Sequence, residues 1–356
     1  MLALHLAAAG AAVFVAQPQP GAVAAELLAE TGAPGAAVAR RCPGDPFAEG
    51  VAGLRALGGE AQVEPGDLWH MGSNTKAMTA TLAARLVEQG VIGWEDTIGS
   101  VLGDTGLEIH PDLAGARLDA LLAHTSGIKA NVGILGMLRL AGADADADYA
   151  ADRRTYAEMV LSEAPAGARG DFLYSNAGYV VAGLMLETAA DIPYEALMAR
   201  EVFEPLGMES AGWGPPGVQG EADQPRGHAG GLFGRSAREP GARADNPPAV
   251  NSAGRVHISL EDLTDFLTAH AERPADYLSQ ESWTRLQTPP EGGDYALGWG
   301  VLEGGRLVHA GSNTMWFARM TVEPETGCVA AAAVNTGDID AVSAPVNAAL
   351  DRLLSD

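Results

Sequence analysis

Ser73 and Lys76 stand in the pattern Ser-x-x-Lys at the head of the segment Trp69 to Gly90. Met78, Leu82 and Leu86 recur there at one-turn spacing, and Gly90 stops the run, which predicts a helix. Three residues make nearly one helical turn, so the hydroxyl and the amine point the same way. A serine hydroxyl is a weak nucleophile until a neighbouring base takes its proton, and a lysine becomes that base when burial lowers its pKa. The head of a helix adds free N–H groups and a positive dipole end, both suited to the oxyanion that forms when serine attacks a carbonyl.

Two further stretches carry chemistry. Tyr174 and Asn176 lie in Gly170 to Tyr179, where a loop turns into a helical run over Val180 to Ala190. His309, Ala310, Gly311, Ser312 and Asn313 end a strand-like segment. Gly311 lets backbone approach a ligand, so the Ser312 N–H is a candidate second oxyanion donor beside that of Ser73. Each pattern alone also has a structural reading: a solvated Ser/Lys pair, a buried tyrosine with a capping asparagine, a satisfied core histidine.

The elements that must position these residues follow from the chain in order. Gly21 to Glu30 reads as a helix closed by Thr31 to Gly35; Ala36 to Arg40 reads as a strand, pairing with Val51 to Leu57 across the Pro43 to Pro46 turn. From Gly93 to Leu140 the signals are short helices and loops, including Leu118 to Gly127. Ala141 to Ala151 alternates Ala and Asp and reads as a surface loop, and Gly207 to Asn251 as a long Gly- and Pro-rich one. A helical segment covers Leu260 to His270. Strands are expected at Tyr295 to Leu302, Arg306 to His309, Phe317 to Val322 and Val329 to Asn335, before a closing helix from Val342 to Leu354. Strands at both ends with helices between predict an α+β protein, its sheet assembled from the two chain ends around a helical insertion.

With 356 residues and 47% hydrophobic content the chain can bury a sizeable core. A net charge of −24, from 22 basic and 46 acidic residues, argues against nucleic acid or an anionic membrane as partner. Two cysteines without CxxC spacing, and eight histidines without a ligand pattern, give no metal site. Leu2 to Ala16 form an apolar run of signal-peptide length before Gln17, Pro18 and Pro20, although no Lys or Arg precedes it and the best small-x-small site is Ala22 to Ala24. The expectation is a periplasmic or extracellular protein, with the cytoplasm as alternative. No later run approaches the ~20 apolar residues of a membrane span.

In this order and spacing, Ser-x-x-Lys, Tyr-x-Asn and His-x-Gly resemble the serine beta-lactamase and penicillin-binding-protein superfamily, most closely its class C branch with D-aminopeptidases, DD-peptidases and esterases. Leu122 to Gly127 (Leu-Ala-His-Thr-Ser-Gly), Phe172 to Tyr179, Phe203 to Met208 and Leu297 to Gly300 look like further landmarks, so the likeness runs from about Ala25 to Asn335. It implies an antiparallel sheet flanked by helices (residues 21–95 and 295–356), a mostly helical inserted domain (96–294) and a site between the lobes; the apolar run makes residues 1–20 a candidate leader. By the same resemblance Ser73 is the nucleophile, Lys76 and Tyr174 share acid/base work, Asn176 positions substrate or Lys76, and His309 stands where many relatives carry lysine. Gly311, Ser312 and Asn313 border the oxyanion site. No cofactor is implied, and the partner is a small molecule or short peptide. The family's Lys-Thr-Gly is here His309-Ala310-Gly311, which removes a charged partner for a substrate carboxylate worth about 1.5–3 kcal/mol. An ester or amide without an obligatory carboxylate therefore fits better than a beta-lactam or D-Ala peptide; a scaffold that binds without turnover is the remaining alternative. If the first and last strands pair as in relatives, Cys42 comes near Cys328 and the two can bond in an exported protein. The pocket is expected from Lys129 to Arg139, Gly207 to Asn251 and around Asn313 to Trp316.

Overall fold

Two chain ends build one sheet. The computed structural model describes residues 19–140, 148–231 and 234–355; the apolar run Leu2 to Ala16 and most of the Ala141 to Ala151 segment lie outside them. Strands β1 (Gly35–Arg41) and β2 (Ala48–Gly53) come from the first part of the chain. A second, three-stranded sheet joins β3 (Leu68–His70) and β4 (Gly212–Trp213) on either side of β7 (Val256–Ser259), and β5 (Gly227–Gly231) pairs with β6 (Gly234–Arg238) as a hairpin. From the chain's end come β8 (Gly300–Val301), β9 (Leu307–Ser312), β10 (Phe317–Val322) and β11 (Val329–Val334), and the main sheet runs β2-β1-β11-β10-β9-β8. All its pairings are antiparallel, with Ala36 opposite Val334 and His309 opposite Met320.

Five helices matter to the site: α1 (Pro20–Thr31), α2 (Thr75–Glu88), α3 (Asn176–Ala190), α4 (Leu260–Glu272) and α5 (Ile339–Leu354). Pro20 presets the first turn of α1, and Gly32 in the left-handed region closes it with an N–H to the Leu28 carbonyl. Alternate residues of the Ala-rich β11 face opposite ways. Ala330, Ala332 and Val334 pack with Val23, Leu27, Val346 and Leu350 of α1 and α5, while Ala331 and Ala333 join the core containing α2 and α4. Each large aliphatic chain buried there contributes about 1.5–3 kcal/mol. Thus α4, from the segment 96–294, packs on the sheet.

Helix α2 lies in the interior. Every residue from Thr75 to Ala84 is buried, and the polar ones among them, Thr75, Lys76, Thr79 and Thr81, are each hydrogen-bonded.

Several boundaries differ from the sequence reading. The partner of β1 is Ala48–Gly53 rather than Val51 to Leu57, because Gly53 sits at φ +87° and turns the chain so that Leu54 N–H reaches the Pro34 carbonyl. Of Tyr295 to Leu302 only Gly300–Val301 is strand, Gly298 at φ +82° breaking the run. Tyr149 to Ala151, read as loop, open a helix over Tyr149–Leu161 capped by Asp148. The Gly207 to Asn251 stretch, read as loop, carries β4, β5 and β6. Cys42 and Cys328 are joined by a disulfide, their Cα atoms 4.1 Å apart.

Candidate active site

Ser73 lies in a tight turn, Gly72–Asn74, between β3 and α2. The turn is fastened on every side: Met71 N–H donates to the Val256 carbonyl, Asn74 Nδ2 donates to the carbonyls of Met71 and Ala318, and Thr75 Oγ1 donates to that of Gly72. At the head of α2 the Ser73 N–H precedes any carbonyl of its own helix that could accept it. Strand β9 abuts this turn backbone to backbone. A Cβ on Gly311 would lie 2.1 Å from the Met71 carbonyl oxygen and 2.4 Å from Ser73 N, and one on Gly72 would lie 2.4 Å from Ser312 N. Gly311 and Ser312 are therefore beside Ser73, where the sequence placed them.

Lys76 is fully buried, and among the described residues no carboxylate pairs with its amine. Its Nζ lies 2.7 Å from Asn176 Oδ1, 2.7 Å from the Ala253 carbonyl oxygen and 3.1 Å from Ser73 Oγ. Burial holds its pKa well below the usual amine range. A neutral amine has two N–H groups and one lone pair; the two oxygens that can only accept take the N–H groups, and the lone pair faces the Ser73 hydroxyl. That is the arrangement of a nucleophile with its base.

The Tyr174 ring lies 4.9 Å below the Lys76 Nζ. Burial pushes its phenol up to about 12, and the neighbouring Ser73 hydroxyl draws it back down, so it carries a proton at neutral pH. Asn176 begins α3, where Ser175 caps the helix by accepting the Gly178 N–H at 2.8 Å. Its Oδ1 accepts from Lys76, and its Nδ2 donates to Asn131 Oδ1 at 2.9 Å. His309 is placed differently from the other three. Its Nδ1 is 2.7 Å from the Gly298 carbonyl, its ring stands edge-on to Tyr295, and it makes no hydrogen bond to Ser73, Lys76 or Tyr174. Burial pushes it down to about 3, so it is neutral. Asn313 turns its amide to Ala244 and Asp245.

The beta-lactamase family model matches residues 21–353. The chain belongs to the beta-lactamase family. Unguisins hydrolase ungD' of Aspergillus campestris (strain IBT 28561) is 25% identical over 294 residues, 77% of this chain and 53% of that protein. An octameric penicillin-binding protein homologue from Pyrococcus abyssi superposes with a TM-score of 0.75 at 24% identity, covering 93% of this chain and 75% of that one. D-amino acid amidase from Ochrobactrum anthropi SV3, complexed with L-phenylalanine, gives a TM-score of 0.75 at 21% identity over 94% and 96% of the two chains. The chain spans 29% to 53% of the length of the curated relatives it matches. Membership of the family supports a hydrolase.

In this family member the cavity at the serine is small, about 60 Å³, lined by Ser73, Asn131, Met137, Asn176, Asn246, Val250, Ala253, Gly254 and Ser312. Asn131 and Met137 fall in the expected 129–139 lining and Asn246 and Val250 in the expected 207–251 lining; Ser312, rather than residues 313–316, supplies the third wall. A groove of about 950 Å³ between residues 115–125 and 280–290 is larger but contains none of Ser73, Lys76, Tyr174 or Asn176. Four residues received no role in the sequence reading: Ala253, His124, His70 and Asp245. The Ala253 carbonyl holds Lys76; its only sequence signal was the small-residue run Asn-Ser-Ala-Gly. His124, at φ +60°, packs its ring 4.3 Å from that of Tyr174 and accepts the Ser175 N–H on Nδ1. His70 pairs with Asp245 at 2.8 Å, 175 residues on in the chain. Among the described residues no group of three or more His, Cys, Asp or Glu is placed to hold a metal ion, and no helix is long and apolar enough to cross a membrane.

Proposed function

We propose that the protein cleaves an ester or amide through an acyl-serine on Ser73. The observation that carries this reading is the buried Lys76 amine, 3.1 Å from Ser73 Oγ, where burial lowers its pKa and so favours the uncharged form that can take the Ser73 proton. Ser73 Oγ attacks the substrate carbonyl carbon as its proton passes to Lys76, and the oxygen anion that forms is met by the N–H groups of Ser73 and Ser312. Tyr174 gives its proton to the leaving alcohol or amine as the C–O or C–N bond breaks, and recovers one from Lys76. Water then enters in the leaving group's place, and the same groups run the proton transfers in reverse.

What lines the cavity supports a substrate class. No lysine or arginine is among its lining residues, and His309 is neutral, buried and tied to Gly298. A carboxylate beside the scissile bond would find no charged partner, which supports esters and amides lacking one over D-Ala peptides and beta-lactams. The relative named as an unguisins hydrolase supports hydrolysis. The Cys42–Cys328 disulfide supports export to an oxidising compartment.

Hydrolysis of short-chain nitrophenyl esters by the wild type, Ser73→Ala and Tyr174→Phe tests the reading. Ser73→Ala should lose roughly three to six orders of magnitude in kcat and Tyr174→Phe about 10²–10⁴-fold; equal rates in all three would leave only a binding scaffold. A fluorescent penicillin tests the substrate class. Rapid stoichiometric labelling of Ser73 with slow release would favour a DD-peptidase or beta-lactamase instead.

A further inference from the structure

One buried carboxylate lies behind the Ser73 cavity, accepting the N–H of the lining residue Asn246 at 2.8 Å and binding neighbours of two other walls. Asp245 has 1% of its side chain exposed and His70 none. Asp245 Oδ2 lies 2.8 Å from His70 Nε2 and accepts from Arg255 Nε at 3.0 Å, while its Oδ1 accepts from Asn313 Nδ2 at 2.9 Å. His70 passes the link on: its Nδ1 accepts the Gly72 N–H at 3.2 Å. Because Nδ1 is an acceptor, the ring proton sits on Nε2 and is donated to Asp245. The ring also stacks on Trp316 at 5.4 Å between centroids. The carboxylate thus reaches the turn that carries Ser73, the strand end that carries Ser312, and the loop whose next residue, Asn246, lines the cavity. Its charge is met by Arg255, which also donates to Asn251 Oδ1, so the cluster holds no uncompensated ion.

The energetic logic concerns geometry. The Gly72 N–H and the Ser73 N–H belong to successive peptide planes, and Gly72 sits in the left-handed region at φ +50°. Holding the first plane on His70 leaves only the two Gly72 dihedrals by which the second can turn, and the packing of β9 against Gly72 limits those. Asn313, one residue beyond Ser312, is pinned by the same carboxylate and accepts the Met315 and Trp316 N–H groups, which shapes the strand's end. An oxyanion pocket works only when its two donors converge on one point, and a misplacement of about 1 Å can cost about 10²-fold.

We propose that Asp245 and His70 are positioning residues that hold the Ser73 and Ser312 N–H groups in register with each other, neither touching substrate. This rests on the acyl-serine reading and assigns to it a support set outside the motifs.

The test compares His70→Phe, which keeps a flat ring against Trp316 but loses the acceptor, with His70→Gln, which can restore an acceptor for Gly72 N–H. Asp245→Asn and Asp245→Ala accompany them, all with the full chain and with melting temperature recorded. Turnover of a short-chain nitrophenyl ester and hydrogen exchange of the peptide spanning residues 70–76 are measured. His70→Phe and Asp245→Ala should lower kcat about 10–100-fold with KM within about twofold, and His70→Phe should speed exchange at the turn. His70→Gln should restore most of both. Wild-type kcat in His70→Phe, an equal fall in Phe and Gln variants, or a change confined to KM would each overturn the proposal. Should Ser73→Ala match the wild type, the hydrolase reading fails by itself. The exchange comparison then decides the hub alone: faster exchange in Phe but not Gln upholds its grip on the turn, and no difference removes it.

Discussion

At the scale of single residues, the question is whether Lys76 acts as a charge or as a base. Among the described residues its surroundings supply two acceptor oxygens and a hydroxyl but no anion, and burial without an anion favours the neutral amine. Lys76→Arg separates the two roles, since a guanidinium keeps the charge and does not deprotonate. Loss of about 10³-fold or more in kcat/KM in the Arg variant is expected; near-wild-type turnover would show that a cation suffices. The pH profile carries the same sign. The reactive form has lost the Lys76 proton, so kcat/KM rises with pH along its acidic limb and levels off below the range in which an ordinary lysine titrates, because burial lowers the amine's pKa. Tyr174, pushed up to about 12, keeps its proton along that limb. Spacing and residue type made Ser73, Lys76, Tyr174 and Asn176 legible in the sequence, and these four converge. His309 was legible as a position only: the Gly298 carbonyl that claims its Nδ1 is set by a turn that no periodicity encodes. His70 and Asp245 were invisible because nothing local relates residues 175 apart.

At the scale of elements, the decisive contact is strand β9 against the turn before α2. Helix α2 and strands β10 and β11 could be read from the chain because apolar spacing and glycine stops mark them. The β2 boundary slipped because Val51 to Leu57 keeps an apolar pattern past Gly53, whose backbone has already left the strand. What no pattern reveals is that Gly311 meets backbone atoms on its open side. A methyl there would come within 2.1 Å of the Met71 carbonyl and 2.4 Å of Ser73 N, and backbone cannot rotate aside as a side chain does. Gly311→Ala should push β9 off the turn, lowering kcat about 10²-fold or more and stability by about 1–3 kcal/mol. Titration of Ser73 with a serine-directed phosphonate, alongside a thermal melt, would check it; full labelling rate at an unchanged melting point would mean that the strand and turn do not need this contact.

At the scale of the whole molecule, two features outside the site govern stability. The disulfide joins residues 286 apart and restrains most of the unfolded chain. Cys42→Ser with Cys328→Ser should cost about 2–5 kcal/mol while leaving the ester kcat of the folded protein unchanged; a variant as stable as the wild type in urea would remove this role. Acid acts through the interior. Burial pushes His257 down to about 4, His270 and His309 to about 3 and His124 to about 2, all from an ordinary 6.5. A base whose folded pKa is depressed binds its proton only after unfolding, so below pH 6.5 the unfolded state takes up protons that the native state refuses. Stability then falls as pH falls, each histidine contributing up to about 1.4 kcal/mol per pH unit until its folded pKa is reached. Glu49, pushed up to about 7 by burial, works the other way: its native form takes a proton first, so it stabilises as pH drops from 7 toward 4.5. His228 is also held below its ordinary value by burial, while Asp152 and Asp265 are raised alongside Glu49 from a lower starting point of 3.8; between pH 7 and 5 the five histidines outweigh Glu49. Urea midpoints at pH 7, 6 and 5 should therefore decline with an unchanged m-value, and a flat or rising series would mean that these imidazoles are already charged, and so solvated, in the folded protein.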